Sequence, residues 1–166
     1  MITAAGGPQC WPDMNGIEII ALTPGAPELG VCAGWRAESF AVLATDVAAE
    51  LRSLEAFVAD PAHQVALIVK RKGAVAGTCL LVPSEIDPVH DVSPWLAGLY
   101  VAPEHRRAGV GEALVRAIER EAHSRRHPRL FLYTTDAVGF YQRLGWRIID
   151  RAIWKGFDTS LMTIEL

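Results

Sequence analysis

The chain has 166 residues, 51% hydrophobic and 21% charged, the proportions of one globular domain long enough to bury a substantial core. A formal net charge of −3 gives no overall reason to expect a nucleic-acid or membrane-surface partner. No apolar run approaches the ~20 residues of a membrane span. Cys10, Cys32 and Cys79 are odd in number, far apart and without metal-ligand spacing, as expected in a reducing compartment such as the cytoplasm.

Residues 1–15 contain Gly6-Gly7-Pro8 and no basic segment ahead of an apolar one, so they read as a flexible tail, with Met14 as an alternative natural start. A single domain is expected over residues 16–166. Ile17 to Leu22 is rich in β-branched residues and closes at Thr23-Pro24-Gly25, predicting a first strand. Glu28 to Phe40 and Asp46 to Ala59 read as helices. In the second, Val47, Leu51, Leu54 and Val58 recur at helical spacing behind a capping Asp46. Val65 to Lys70 and Val75 to Val82 predict a hairpin around Arg71-Lys72-Gly73, with Cys79 a buried, inert thiol. Pro83 to Pro94 reads as a loop, Trp95 to Val101 as a strand, and Val110 to Ser124 as a helix with the apolar stripe Val110, Leu114, Ile118, Ala122. Arg116, Arg120 and Arg125 read as its solvated face. Arg129 to Thr134 is the next strand and Ala137 to Leu144 a short helix. Trp146 to Trp154 and Ser160 to Leu166 form a closing hairpin across residues 155–158. The order predicts a mixed sheet with helices on both faces, an α/β (α+β) domain.

The most informative stretch joins the Trp95 strand to the helix at Val110. A glycine turn feeding a helix N-terminus is an anion site, because the first helical amides lack internal partners and the helix dipole places partial positive charge there. Arg106 and Arg107 add full charges, and Gly109 and Gly111 leave the main chain open to a phosphate. The run Arg106-Arg107-Ala108-Gly109-Val110-Gly111 resembles the Q/R-x-x-G-x-G/A signature of the Gcn5-related N-acetyltransferase (GNAT) family. Phe140-Tyr141-Gln142-Arg143-Leu144-Gly145-Trp146 is similar to that family's aromatic-Tyr-x-x-x-Gly-aromatic element. From about Val65 onward the order of elements also resembles the family, and the first third matches only in outline.

The resemblance implies a six- or seven-stranded sheet, splayed after the glycine-loop strand so that acetyl-CoA enters a V-shaped gap. It implies cofactor contacts from Leu99, Tyr100 and Val101 through main chain, from Arg106 to Glu112 around the pyrophosphate (Arg106, Arg107, Ala108, Gly109, Val110, Gly111, Glu112), and from Thr134, where relatives carry an asparagine. Tyr141 occupies the family's position for the acid that protonates the departing thiolate. No metal is expected, since His63, His123 and His127 show no ligand spacing. The expected reaction is acetyl transfer to a primary amine of a small molecule or a peptide N-terminus. A noncatalytic acyl-CoA-binding domain is the alternative, and a homodimer through the closing strand follows from the resemblance.

The general base stays open. The Trp95 to Val101 strand lacks the glutamate many relatives place there, leaving Asp136, Asp91, His90 and Glu38 as candidates, with Asp136 equally a helix cap and His105 facing solvent. Trp35, Trp95 and Tyr133 are candidates to line an acceptor pocket, and Trp146 and Trp154 read as core. A dinucleotide-binding oxidoreductase is disfavoured because Leu114 stands at the third glycine position, and a P-loop nucleotidase because no Gly-Lys-Ser/Thr occurs.

Overall fold

The computed structural model describes residues 10–11, 16–39 and 46–166. The remainder of the predicted tail, including Met14, and Phe40 at the predicted end of the first helix lie outside the described residues. The elements run β1 (Cys10–Trp11), β2 (Ile17–Ala21), α1 (Leu29–Ser39), α2 (Val47–Val58), β3 (Val65–Arg71), β4 (Ala74–Val82), β5 (Trp95–Val101), a 3-10 turn (Pro103–His105), α3 (Val110–Ser124), β6 (Arg129–Thr134), α4 (Val138–Arg143), β7 (Arg147–Trp154) and β8 (Phe157–Glu165). The strands form one mixed sheet in the order β1-β2-β3-β4-β5-β6-β8-β7, in which β5–β6 is the sole parallel neighbour pair. Within the predicted tail, β1 pairs with Ile19 and Ile20 of β2.

Two hairpin turns follow from their φ angles. Lys72 and Gly73 (φ 53° and 79°) join β3 to β4, and Lys155 and Gly156 (φ 51° and 82°) join β7 to β8. Both have positive φ at the two central residues, the turn whose twist matches paired strands. The second hairpin is therefore tighter than the sequence predicts: β8 starts at Phe157, opposite Trp154, three residues before Ser160.

The sheet separates two apolar layers. On one face α3 lays Val110, Leu114, Ile118 and Ala122 against Leu67, Val69, Cys79, Leu81, Leu96, Leu130 and Leu132. On the other, α1 and α2 bring Leu29, Cys32, Ala33, Leu54 and Val58 onto Ala66, Ile68, Leu80, Trp95, Ala97 and Phe131. Asp46 caps α2 by accepting from the Ala49 amide at 2.6 Å. Arg36 of α1 and the buried Glu50 of α2 pair at 2.8 Å. The arginine face of α3 is not uniformly solvated. Arg125 pairs with the buried Glu121 at 2.8 Å and donates to the carbonyls of Pro61 and Ala62, fastening α3 to the turn that leads into β3. Trp146 is core, with its indole N–H donating to Glu119 at 2.9 Å. Trp154 is not: it is half-buried, and its N–H bonds the carbonyls of Ile86 and Asp87, where the long loop gains more from a polar anchor than from an apolar wall.

Gly77 sets how closely α3 approaches the sheet. A Cβ there would lie 2.7 Å from the Tyr100 carbonyl oxygen and 3.1 Å from side-chain carbons of Leu114 and Val110. Gly77→Ala is expected to destabilise by about 1–3 kcal/mol through overpacking, lowering the thermal midpoint by roughly 2–12 °C, measurable by calorimetry.

Candidate active site

Strands β5 and β6 run parallel but share a single register pair, Trp95 with Phe131, reinforced by a 3.1 Å bond from the Phe131 amide to the Pro94 carbonyl. Beyond it they diverge, opening a wedge toward Val101 and Thr134. The cause lies in β5. Against β4, Thr78 pairs with Tyr100 and Leu80 with Ala97, so Gly98 and Leu99 together oppose Cys79 alone. This is a β-bulge with Gly98 at φ 59°, the left-handed conformation glycine adopts at no steric cost. Tyr100 and Val101 stay in register with Thr78 and Gly77 of β4, while from Leu96 to Val101 β5 has no register partner in β6. The mid-strand glycine was the sequence signal for the bulge.

At the end of β5 the chain turns into α3 through Arg107 (φ 59°) and Gly109 (φ 79°). Gly109 is the N-cap and no side chain caps the helix, so the first amides from Val110 to Glu112 are left for an anion. A Cβ on Gly109 would meet nothing within 4 Å, consistent with an open cradle. Gly111 faces α4: a Cβ there would sit 3.4 Å from the Phe140 ring, an ordinary contact. Arg106 donates from Nε to the Val101 carbonyl at 3.1 Å, clamping the loop to the strand, while Arg107 is exposed. These residues fit a pyrophosphate group. His105 is half-buried rather than solvent-facing, its Nδ1 enclosed.

Across the wedge, α4 ends in a Schellman motif. The Trp146 amide bonds the Tyr141 carbonyl at 3.1 Å, the Gly145 amide bonds that of Gln142 at 3.0 Å, and Gly145 has φ 97°. This geometry accounts for the spacing of the Tyr-x-x-x-Gly-aromatic element: Tyr141 and Trp146 are the residues that the motif brings into edge contact, with centroids 5.9 Å apart. Tyr141 is 6% exposed, and burial first, then Cys79 and Asp136, push its phenol above the ordinary range. Cys79 is fully buried, its thiol likewise pushed up by desolvation, and it donates to the Ala97 carbonyl at 3.6 Å. Thr134 is buried at the end of β6, and its hydroxyl, not Asp136, accepts the Ala137 amide at 3.1 Å to start α4. Asp136, Asp91 and Glu38 are exposed.

His90 is committed elsewhere. The Tyr133 hydroxyl accepts from the amides of Val89 and His90, both at 3.1 Å, and lies 2.7 Å from His90 Nδ1. With both lone pairs used, the phenol donates to Nδ1, which leaves the imidazole hydrogen on Nε2 to donate to Asp150 at 2.9 Å. That bond, and one from the Arg151 amide, hold the Asp150 carboxyl below its ordinary range. The Tyr133 ring lies between Trp95 (4.7 Å) and Trp154 (4.9 Å). Trp95 is fully buried, so of the three aromatic candidates Trp35 alone borders a pocket beside the bulge. Sequence reasoning missed the latter's other walls, Arg36, Ser39 and Thr78, and missed Asp150.

Among the described residues, no cluster of three His, Cys, Asp or Glu side chains is placed to hold a metal, and no helix is long and apolar enough to cross a membrane. The model of the acetyltransferase (GNAT) family matches residues 32–146, more than half of the chain. A curated relative, the peptidyl-lysine N-acetyltransferase YiaC of Escherichia coli K12, is 37% identical over 73 residues, covering 42% of this chain. The match spans 45% of that relative's length, about half. Among solved structures, an aminoglycoside 6'-acetyltransferase type Ii aligns with a TM-score of 0.71 at 19% identity, covering 89% of this chain and 96% of its own. A GNAT-family acetyltransferase from Elizabethkingia anophelis with acetyl-CoA bound aligns with a TM-score of 0.60 at 17% identity, covering 92% and 100%.

Replacing Tyr133 with Phe is expected to strip the Val89 and His90 amides of their acceptor. The local cost is about 1–2 kcal/mol, read as roughly ten-fold faster hydrogen exchange at those two amides with the core strands unaffected.

Proposed function

We propose, from the premise that the chain belongs to the GNAT acetyltransferase family, that it transfers the acetyl group of acetyl-CoA to a primary amine of a small molecule or a peptide N-terminus. The observation that carries this reading is the parting of β5 from β6 beyond Trp95 and Phe131, with the β5 bulge further along that opening, beside an α3 N-terminus that no side chain caps and a buried Tyr141 on α4. Amides at Leu99, Tyr100 and Val101 would hold the thioester carbonyl and stabilise the negative charge it develops. Arg106, Arg107, Ala108, Gly109, Val110, Gly111 and Glu112 would take the pyrophosphate, and Thr134 would donate its remaining hydroxyl hydrogen to the cosubstrate. The neutral amine attacks, a C–N bond forms and the C–S bond breaks. The amine gives up one proton to solvent water, the departing sulfur takes one from Tyr141, and the resulting phenolate regains its proton from solvent.

Burial keeps the Tyr141 phenol neutral, so it would meet the departing sulfur as a hydrogen-bond donor rather than as a strong acid. Held above the ordinary phenol value of ~10, it remains protonated throughout the neutral range. The linkage runs in the same direction: its stabilising contribution is complete below about pH 10 and is lost as pH rises beyond.

Tyr141→Phe is expected to leave CoA-induced thermal stabilisation intact and to lower kcat by about 10²–10⁴-fold. Unchanged turnover would remove Tyr141 from the mechanism, and binding without any turnover in the unaltered protein would make it an acyl-CoA-binding domain. Gly109→Val, which strains a left-handed position and fills the cradle, is expected to abolish the stabilisation of about 2.7 kcal/mol that CoA supplies at ~100 times its dissociation constant.

A further inference from the structure

The pocket beside the bulge lies on the α1/α2 face of the sheet, while Tyr141 lies with α3 and α4 on the opposite face. It is walled by Trp35, Arg36 and Ser39 of α1, by Thr78 of β4 and by Gly98, Leu99 and Tyr100 of the bulge. An amine approaching a carbonyl held at the bulge therefore comes from this side, and whatever the amine carries must fit here.

Three features define the fit. The volume is about 70 Å³, in a pocket partly open to solvent, less than half the ~150 Å³ of an apolar cavity that a benzene ring fills. A group of a few heavy atoms is the better fit. The walls are mainly apolar: the Trp35 and Tyr100 rings stack at 4.9 Å and an interplanar angle of 30°. The charge is a guanidinium already paired: Arg36 Nε lies 2.8 Å from Glu50, and its Nη1 lies 3.8 Å from where a Cβ on Gly98 would be. A second ammonium on the acceptor would be brought against that guanidinium, with no carboxylate among the described pocket walls to receive it.

We infer that this pocket seats the substituent on the carbon next to the reacting nitrogen, and that the acceptor is a monoamine bearing a small aliphatic group there, as in an alanine- or valine-type α-amino group. This rests on the acetyl-transfer reading above and narrows it. Trp35 and Ser39 then determine acceptor size.

The test is thiol release from acetyl-CoA with alanine amide, with tetrapeptides beginning Ala, Val or Phe, and with kanamycin and putrescine, for the unaltered chain, Trp35→Ala and Ser39→Leu. The expected kcat/KM for Ala- or Val-first peptides exceeds that for the Phe-first peptide by at least about ten-fold. Trp35→Ala should erase or invert that ratio. Ser39→Leu, at an exposed position that tolerates substitution, should raise KM for the Val-first peptide at least about five-fold while CoA-induced stabilisation is retained. Equal rates for alanine amide and the peptides identify a free small amine as the source, and faster peptides identify a peptide terminus; both support the proposal. Preference for kanamycin or putrescine, or a ratio unmoved in both variants, overturns it alone. No release with any amine while CoA still stabilises the chain overturns the acetyl-transfer reading and this proposal together.

Discussion

The organisation of the molecule depends on one incomplete pairing. β5 and β6 are parallel neighbours that meet at Trp95 and Phe131 and then separate. Parallel pairing elsewhere in proteins is maintained by continuous ladders and buried on both faces. Here the ladder is forfeited after one pair, and the structure compensates around the break. Trp95 is fully buried at the closed end and packs against Phe131 and Tyr133. On the far side of β6, an unbroken antiparallel ladder from Arg129 to Thr134 holds that strand to β8. Both edges of the opening are strands anchored in the core.

The glycines divide this work by physical role. Gly98 and Gly109 are needed for backbone conformation, one bending β5 and the other turning it into α3. Gly77 is needed for proximity, letting α3 approach the sheet. Gly145 closes α4 so that Tyr141 and Trp146 share an edge. Each feature of the site thus has a backbone cause within a few residues of it, and the side chains that remain for chemistry are few. In the reading proposed above, the phosphate cradle and the carbonyl donors are main chain, and Tyr141 is the side chain left for chemistry.

That division explains what could be read before the structure. The α3 stripe, the β5 strand and both motifs were legible because they are local: periodicity, a glycine turn and a Schellman spacing all lie within one or two turns of chain. The long-range pins were not. Tyr133 with His90 and Asp150 joins three segments separated by 43 and 60 positions, and nothing in residues 83–94 announces that its amides need a phenol. Arg125 read as solvated for the same reason, since its carbonyl partners at Pro61 and Ala62 lie 63 and 64 residues away. The turn of the closing hairpin was drawn two residues too long because Lys155 was not recognised as taking a left-handed conformation ahead of Gly156.

The missing carboxylate in β5 and the composition of the pocket point the same way. A lysine side chain costs about 4–5 kcal/mol to deprotonate at neutral pH, whereas an α-amino group with pKa ~8 costs about 1. An enzyme acting on the former needs a base close to the nitrogen. Of the candidates, Asp136, Asp91 and Glu38 are exposed to solvent, and His90 is bound on both ring nitrogens. Glu50, the carboxylate nearest to Arg36, is consumed in its ion pair. A site so arranged favours an amine that is already substantially neutral and can lose its remaining proton to water. The strand that lacks a glutamate and the small pocket that α1 walls with Trp35 and a paired guanidinium therefore support one and the same reading of the acceptor.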